Sequence, residues 1–457
     1  MTGAVVVSPI EETVPERFGE VLAARLAAQP TRLLHLTWIP SPADGGSVLA
    51  VYCVADAVRG LAAPASPPSR PSLAGVGAAT LEEARLAAEG FTWAQPAPER
   101  AIIGRGIFTF PLGPVRADVA ESLGWRFAVM GDEVLGLDLR SGYKPRQLEA
   151  RMGPAGPEGG LALAERVSGT APVGHALAYC LAWEAALGRA VPAGQERQRA
   201  IMAELERLAS HLGDLAALAN ATGLPAAAAE LFVLKEHVLR YCQRWTGHRY
   251  QRGVLTVGGA RELAEPDPDQ TLGDVASRFA AIIDQLDRSA SFLDRLHTAG
   301  RVCPEVAVAL RPVGPAGRAC GLPYDVRADA PYGWYARAGA PERCVAEGGD
   351  AFARYRIRVG EVEASLTWLA GGRGPDGAAP PPEGPPAVGT VWCARVEAPR
   401  GELVYLVCPG PVPWVRVRSA SAVNWAVVPP AAAAGNVLQD LPIIDASFSL
   451  SVAALDR

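Results

Sequence analysis

Lysine is almost missing from this chain: of its 43 basic residues only Lys144 and Lys235 are lysines, leaving 41 arginines. With 48 Gly and 40 Pro beside it, the bias reads as coding composition, since either cation serves a solvated surface, and it is given no functional weight. There is no basic block, and the formal net charge is −5; both exclude the electrostatic footprint of a nucleic-acid-binding protein. Eight cysteines stand at 53, 180, 242, 303, 320, 344, 393 and 408, and none forms a C-x-x-C pair. That scatter gives no zinc or iron–sulfur spacing. The opening MTGAVVVSPIEETVPERFGE has no basic segment followed by a long apolar core, so no secretory leader is expected. A membrane-spanning run of about 18 apolar residues is also missing. The best approach to one, SAVNWAVVPPAAAAGNV, is broken by Asn, Pro and Gly. The expectation is a chain soluble by itself and cytoplasmic, with reduced thiols, and nothing in these absences prevents it from docking on a membrane partner.

What is present suffices for two or three well-buried domains: 457 residues, 49% hydrophobic and 20% charged. Two stretches, 59–79 (RGLAAPASPPSRPSLAGVGAA) and 371–388 (GGRGPDGAAPPPEGPPAV), are so rich in Pro, Gly and Ala that they read as linkers or exposed loops. Ahead of the first, RFGEVLAARLAAQ predicts a short amphipathic helix, and RLLHLTWIP and SVLAVYCVA predict strands. Residues 1–95 are thus expected to form a small α+β module, and 96–457 a second domain with 371–388 as an insertion. In the second domain, RGIFTFPLGPVRADVAESLGWRFAVMGDEVLGLDLRSG predicts a small sheet, with turn signals at Pro111, Gly113, Gly124 and Gly131-Asp132. From about 146 to 300 the pattern is helical. Ile201, Leu205, Leu208, Leu212 and Leu215 form a stripe at helical spacing, which a bundle would bury. DAFARYRIRVGEVEASLTWLA predicts a further helix. TVWCARVEAPRGELVYLVCPG and WVRVRSASAVNW predict antiparallel strands around an Arg400-Gly401 turn. The fold class is α+β: an N-terminal module, a central helical bundle and short antiparallel sheets flanking it.

One interruption stands out. LALAERVSGTAPVGHALAYCLAWEAALG, residues 161–188, is helical on both sides of Ser-Gly-Thr-Ala-Pro, where Gly169 and Pro172 weaken a helix interior. Pattern alone reads it as a loop joining two helices. Its residues 165–179, ERVSGTAPVGHALAY, resemble the E-R-(I/V)-C-G-(I/V)-C-x-x-x-H-x-x-A segment of nickel–iron hydrogenase large subunits and the equivalent part of the quinone-pocket subunit of respiratory complex I. The resemblance runs in order through GPVRADVAE (113–121), LERLASHLGDL (205–215), GRACGLPYDVRADAPY (317–332), GDAFARYRIRVGE (349–361), VEAPRGELVYLV (396–407) and the closing LPIIDASFSLSVAALDR. It covers roughly residues 105–457. The N-terminal block resembles the small partner subunit fused ahead of the large one in formate-hydrogenlyase-type complexes.

In the hydrogenases two C-x-x-C pairs supply four thiolates to a nickel–iron centre, a soft metal pair that needs soft anionic ligands. By this alignment the first pair falls on Ser168 and Ala171, and the second on Ser451 and Ala454. The resemblance therefore implies a former metal pocket without its ligands, and no functional hydrogenase. In complex I the vacated cleft takes a quinone headgroup through a His and a Tyr, whose positions here are Arg116 and Gly169. Arg116 can donate to a quinone carbonyl; Gly169 cannot replace a phenol.

The candidate cleft or quinone-binding residues are accordingly Arg116, Ser168, Gly169, His175 and Ser451. Glu204, Arg207 and His211 lie at i, i+3 and i+7 on one helix side, either a solvated face or, as the family implies, a buried polar stripe that couples the cleft to a membrane arm. His175 and Tyr179 are i, i+4 after the break, in a pocket role or as a core His satisfied by backbone. Asp325 with Arg327, and Glu397 with Arg400, are candidate ion pairs lining the cleft, which structural pairing alone would explain equally well. No phosphate-binding signature occurs, and Gly258-Gly259 matches a turn pair of the family. No cofactor is expected to bind directly apart from the candidate quinone: NAD attaches by family association only, and iron–sulfur clusters belong to partner subunits. The partners implied are an iron–sulfur small subunit and antiporter-like integral membrane subunits. The competing reading is a non-catalytic scaffold for such membrane subunits.

Overall fold

The computed structural model describes residues 104–115, 121–263, 270–371 and 390–456 continuously, with residue 102, a few positions at 21–24 and the strands of the N-terminal block. Those strands are β1 (Ala4–Val6), β2 (Ile10–Glu12), β3 (Arg32–Ile39), β4 (Ser47–Val54) and β5 (Ala57–Pro64). β3, β4 and β5 pair antiparallel and β2 adds parallel to β5, giving the order β2-β5-β4-β3. The two predicted strands are thus β3 and β4. The expected linker at 59–79 is corrected at its start: residues up to Pro64 belong to β5, because pairing on both sides outweighs a Gly- and Pro-rich composition. Residues 65–79, most of the helix expected at 17–29, and 372–388 of the second linker lie outside the described residues.

The predicted small sheet is β6 (Ile107–Leu112), β7 (Gly124–Met130) and β8 (Glu133–Arg140), antiparallel in that order. Gly131 turns the β7–β8 hairpin at φ +65°, as its signal predicts. Pro111 and Gly124 do not turn: Pro111 is paired with Arg126 on edge strand β6, where a missing N–H is tolerated, and Gly124 is paired with Arg140.

After short helices α1 (Leu148–Met152) and α2 (Gly156–Ala164) come α3 (Pro172–Leu187), α4 (Ala193–Ala221), α5 (Pro225–Thr246) and α6 (Gln270–Asp287). A small hairpin between α5 and α6, β9 (Leu255–Thr256) and β10 (Gly259–Ala260), turns at Gly258. Both α3 and α5 start on Pro at the first turn and stop at a left-handed glycine, Gly188 and Gly247, the asymmetry expected of helix ends. The Leu205–Leu208–Leu212–Leu215 stripe of α4 is buried and packs with α5, α6 and α7 (Ala351–Gly371), the helix predicted at 350–370.

A second core lies where α3 packs on the last sheet, ordered β1, β11 (Trp392–Ala398), β12 (Gly401–Cys408), β13 (Trp414–Arg418). β11 is buried on both faces, so its predicted alternation is not a solvated one. The strand predicted over 414–425 ends at Arg418, because the Ser419 hydroxyl accepts from the Ala422 amide at 3.1 Å and caps a helix over 420–424. The third core joins β6–β8 to the C-terminal helices, the last being α8 (Leu441–Phe448). The architecture is mixed α+β, with central helices flanked by antiparallel sheets. Among the described residues no helix is long and apolar enough to cross a membrane.

Candidate functional site

The interruption between α2 and α3 is real: α2 ends at Ala164 and α3 begins at Pro172. The Ser168 hydroxyl bonds the Thr170 hydroxyl at 2.8 Å. Arg146 threads the segment from outside. It donates to the carbonyls of Arg166 and Val167 at 2.5 and 2.7 Å, and on its other side to those of Ala453 and Asp456. Ser168, Ala171, Ser451 and Ala454 are all buried, and one guanidinium thus ties together the two strings that carry them. The Ser451 backbone is held by the Ser421 hydroxyl and by the Trp425 indole, at 3.1 and 3.2 Å. Among the described residues no group of three or more His, Cys, Asp or Glu side chains converges as a metal site.

Beside the break lies a cavity of about 150 Å³. Gly169, Thr170 and Pro172 form one wall, Glu206, Ser210 and Asp214 of α4 a second, Lys235 and Cys242 of α5 a third, and Arg400 the closing corner. The Arg400-Gly401 turn reaches this corner because Gly314 and Gly401 lie backbone against backbone. A Cβ on Gly314 would stand 2.5 Å from Gly401 Cα, and both residues have positive φ, +61° and +118°. Glu206 caps α3: its carboxylate accepts from the Val173 and Gly174 amides at 2.6 and 2.9 Å. Burial nonetheless pushes its carboxyl up to about 7 against those two donors.

From the cavity a chain of ionic contacts runs inward between α4 and α7. Arg400 donates to Asp214 at 2.8 Å and to the Ser210 hydroxyl at 2.9 Å, and also to the Ser449 carbonyl. Asp214 lies 3.4 Å from Arg358 and 3.8 Å from His211 Nδ1. His211 Nε2 is 2.8 Å from Glu361. Arg318 joins Glu361 at 2.5 Å, Glu397 at 2.9 Å and Asp325 at 3.5 Å. Asp325 holds Arg327 at 2.7 Å; Arg327 reaches Glu204 at 2.8 Å, which also accepts from the Tyr335 and Ser365 hydroxyls at 2.6 and 2.7 Å. Arg207 lies between Glu204 and Glu361 and donates to the Glu397 and Ala398 carbonyls. Five carboxylates therefore meet five guanidiniums, with one imidazole between them. Burial alone would raise these acids, but Arg400 beside Asp214 and Arg318 beside Glu361 hold both well below the usual carboxylate range, and Arg327 lowers Glu204.

The structure buries Glu204, Arg207 and His211 completely, so the solvated-face alternative is overturned. Asp325 and Arg327 pair with each other, and neither is among the lining residues of the cavity. Glu397 and Arg400 do not pair: each finds a closer partner, Arg318 and Asp214 respectively, because the turn points Arg400 toward α4. His175 Nδ1 lies 2.9 Å from the Tyr405 hydroxyl, between α3 and β12. Of the residues predicted at the cleft, Gly169 and Arg400 are on the cavity wall, whereas Ser168, His175, Ser451 and Glu397, like Asp325 and Arg327, are not among its lining residues; Arg116 lies outside the described residues. Sequence reasoning missed Glu206, Asp214, Lys235, Arg318 and Glu361. Asp214 continues the 204, 207, 211 spacing by one step, and Arg354, Arg358, Glu361 and Ser365 repeat the same period on α7, so helical spacing carried a usable signal for them.

Residues 222–370 match the family model described as the respiratory-chain NADH dehydrogenase 49 kDa subunit. The carbon monoxide-induced hydrogenase of Rhodospirillum rubrum is 27% identical over 368 residues, covering 77% of this chain and 99% of that protein. Formate hydrogenlyase subunit 5 of Escherichia coli is 30% identical over 367 residues, covering 76% of this chain and 62% of that protein. NADH-quinone oxidoreductase subunit 4 of Thermus thermophilus is 28% identical over 402 residues, covering 79% and 97%.

Proposed function

We propose, from the match of residues 222–370 to the 49 kDa subunit model and the likeness to hydrogenase and NADH-quinone oxidoreductase subunits, that the chain is a large subunit of the family that joins the two, with its nickel–iron site lost, coupling events at the cleft to ion translocation in partner subunits. The donor chemistry does not fit the metal pair. Ser168 and Ser451 offer hard, protonated hydroxyls and Ala171 and Ala454 offer none, so no step is routed through nickel or iron. A quinone, the ligand the family suggests, would meet Arg116 and Gly169, of which only the arginine can donate.

The observation that carries the coupling role is the run of buried charged side chains from Arg400 on the cavity wall to Glu204 in the interior, joined closely at every step but one, the 3.8 Å between Asp214 and His211 Nδ1. Five carboxyls face five guanidiniums along it. Among these carboxyls, burial and the neighbouring Asp325 push Glu397 up to about 7, and His211 Nδ1 has no hydrogen-bond partner among the described residues. A proton gained or lost at the cavity end is, in this reading, answered by rearrangement along the run of charges, which transmits the local change. In this reading the protein sits peripherally on the inner face of the membrane against an iron–sulfur small subunit and antiporter-like membrane subunits, and a nicotinamide nucleotide binds elsewhere in the assembly.

Mass-spectrometric identification of what co-purifies with the tagged chain from gently solubilised native membranes tests this. The expected result is an iron–sulfur subunit together with antiporter-like proteins. Membrane subunits without a redox partner would make the chain a scaffold, and recovery of the chain alone from the soluble fraction would end the membrane-complex reading.

A further inference from the structure

Charged groups on the cavity wall are compensated with one exception. Asp214 is shared by Arg400 and Arg358. Arg249, at the rim, is held by both oxygens of Glu236 at 2.8 and 2.5 Å. Glu206 is held by two backbone amides. Lys235 alone lines the cavity with no hydrogen bond or ion pair to its ammonium among the described residues.

Its placement is built into the helix opposite. A Cβ on Gly213 of α4 would stand 2.7 Å from Lys235 Nζ and 3.2 and 3.3 Å from Cδ and Cε. The bare glycine backbone is thus the seat on which the lysine stem lies, and any larger residue would displace it. Burial lowers the lysine pKa and Asp214 partly restores it, while Arg400 adds to the repulsion; an incoming negative charge would relieve both opposing effects. A guanidinium at this position would bring a broad planar head where the glycine seat fits a compact one.

The rest of the wall says what accompanies the charge. Ser210 accepts from Arg400, which leaves its own hydroxyl hydrogen to donate. Leu205, Leu239 and Pro172 supply apolar surface. A cavity near 150 Å³ holds a guest of about six heavy atoms, the scale of benzene.

We propose that this cavity binds a small monoanionic carboxylate, of acetate to butyrate size, with Lys235 as its charge partner and the Leu205–Leu239–Pro172 surface against its alkyl end. The site is a property of the folded chain and does not rest on the coupling role, so its failure would leave the partner-recovery experiment untouched.

Saturation-transfer NMR with ¹³C-acetate on the full-length protein, at constant ionic strength, tests it. Saturable binding is expected in the natural protein. Lys235→Met should weaken it roughly tenfold or more, as loss of a charge-assisted hydrogen bond does, and Gly213→Ala, which unseats the ammonium while keeping the charge, should weaken it too. Circular dichroism establishes that each variant is folded, and if Lys235→Met is not, Gly213→Ala decides alone. Absence of saturable binding in the natural protein, or unchanged affinity in the folded variants, overturns the proposal.

Discussion

Helix α3 is buried along almost its whole length and meets the last sheet mainly with Ala, Leu and aromatic side chains, keeping Glu184, paired with Arg199, and His175 as buried polar groups. The buried face of α4, by contrast, meets α7 with charges. All of α3 except Leu187 is buried. An apolar helix of this kind is held by area and fit, and it tolerates a change of shape that keeps volume. The α4–α7 seam has a different rule. Replacing a whole buried ion network with apolar groups is often neutral, but deleting one member strands its partners in low dielectric. The packing of α3 is the more tolerant of the two, its few buried polar groups each having a partner; the α4–α7 seam depends on its charge balance, which suits it to report a change in that balance.

The strongest way to break the contrast is Arg318→Met. It leaves Glu361, Glu397 and Asp325 without their shared cation, and the unfolding free energy in urea should fall by about 3–5 kcal/mol. A loss no larger than that of a volume-conserving change in α3 would erase the distinction drawn here.

Glu206 sharpens it, because this buried carboxylate has amides and no arginine in hydrogen-bonding contact. Its carboxyl titrates at about 7 in the fold against 4.5 ordinarily, so between those values the folded protein keeps a proton that the unfolded chain has lost. Stability should therefore decline as pH rises from about 4.5 to about 7 and then level off, by on the order of 3 kcal/mol in total. Glu206→Gln should flatten that slope, which urea titrations at pH 5 and pH 8 would reveal; an unchanged slope assigns the proton elsewhere.

Smaller effects follow at the edges of the two seams. Ser365→Ala removes one donor to Glu204 and should cost about 1–2 kcal/mol, read from the shift in urea midpoint at constant slope. Leu177→Met, in the α3 core, should cost less than about 1.5 kcal/mol; a larger loss would mean that the apolar seam is as exacting as the ionic one.

Much of this organisation was legible in the residues. The leucine stripe of α4, the break before Pro172, the β11–β12 hairpin and the helix at 351–371 all follow local rules of period and turn chemistry. The site was legible only in part, because its partners are far apart in the chain. Arg400 has Glu397 three positions away and takes Asp214 instead, 186 positions away. Which acid an arginine meets is decided by how a turn is seated, here by the contact of Gly314 with Gly401, and no period in the sequence encodes that. Lys235 was visible as one of two lysines and dismissed as composition; its meaning comes from the glycine beneath it.

The Arg146 staple has a consequence in time as well as in space. The carbonyls it gathers belong to residues 20 and 21 positions away on one side and 307 and 310 on the other, and β1 reaches across comparable separation to pair Ala4 with Ala394. Closing such loops costs entropy before any contact rewards it, and topologies dominated by them fold slowly. The helices, built from local contacts, should form first, and the pocket beside the break should be the last part of the molecule to take shape.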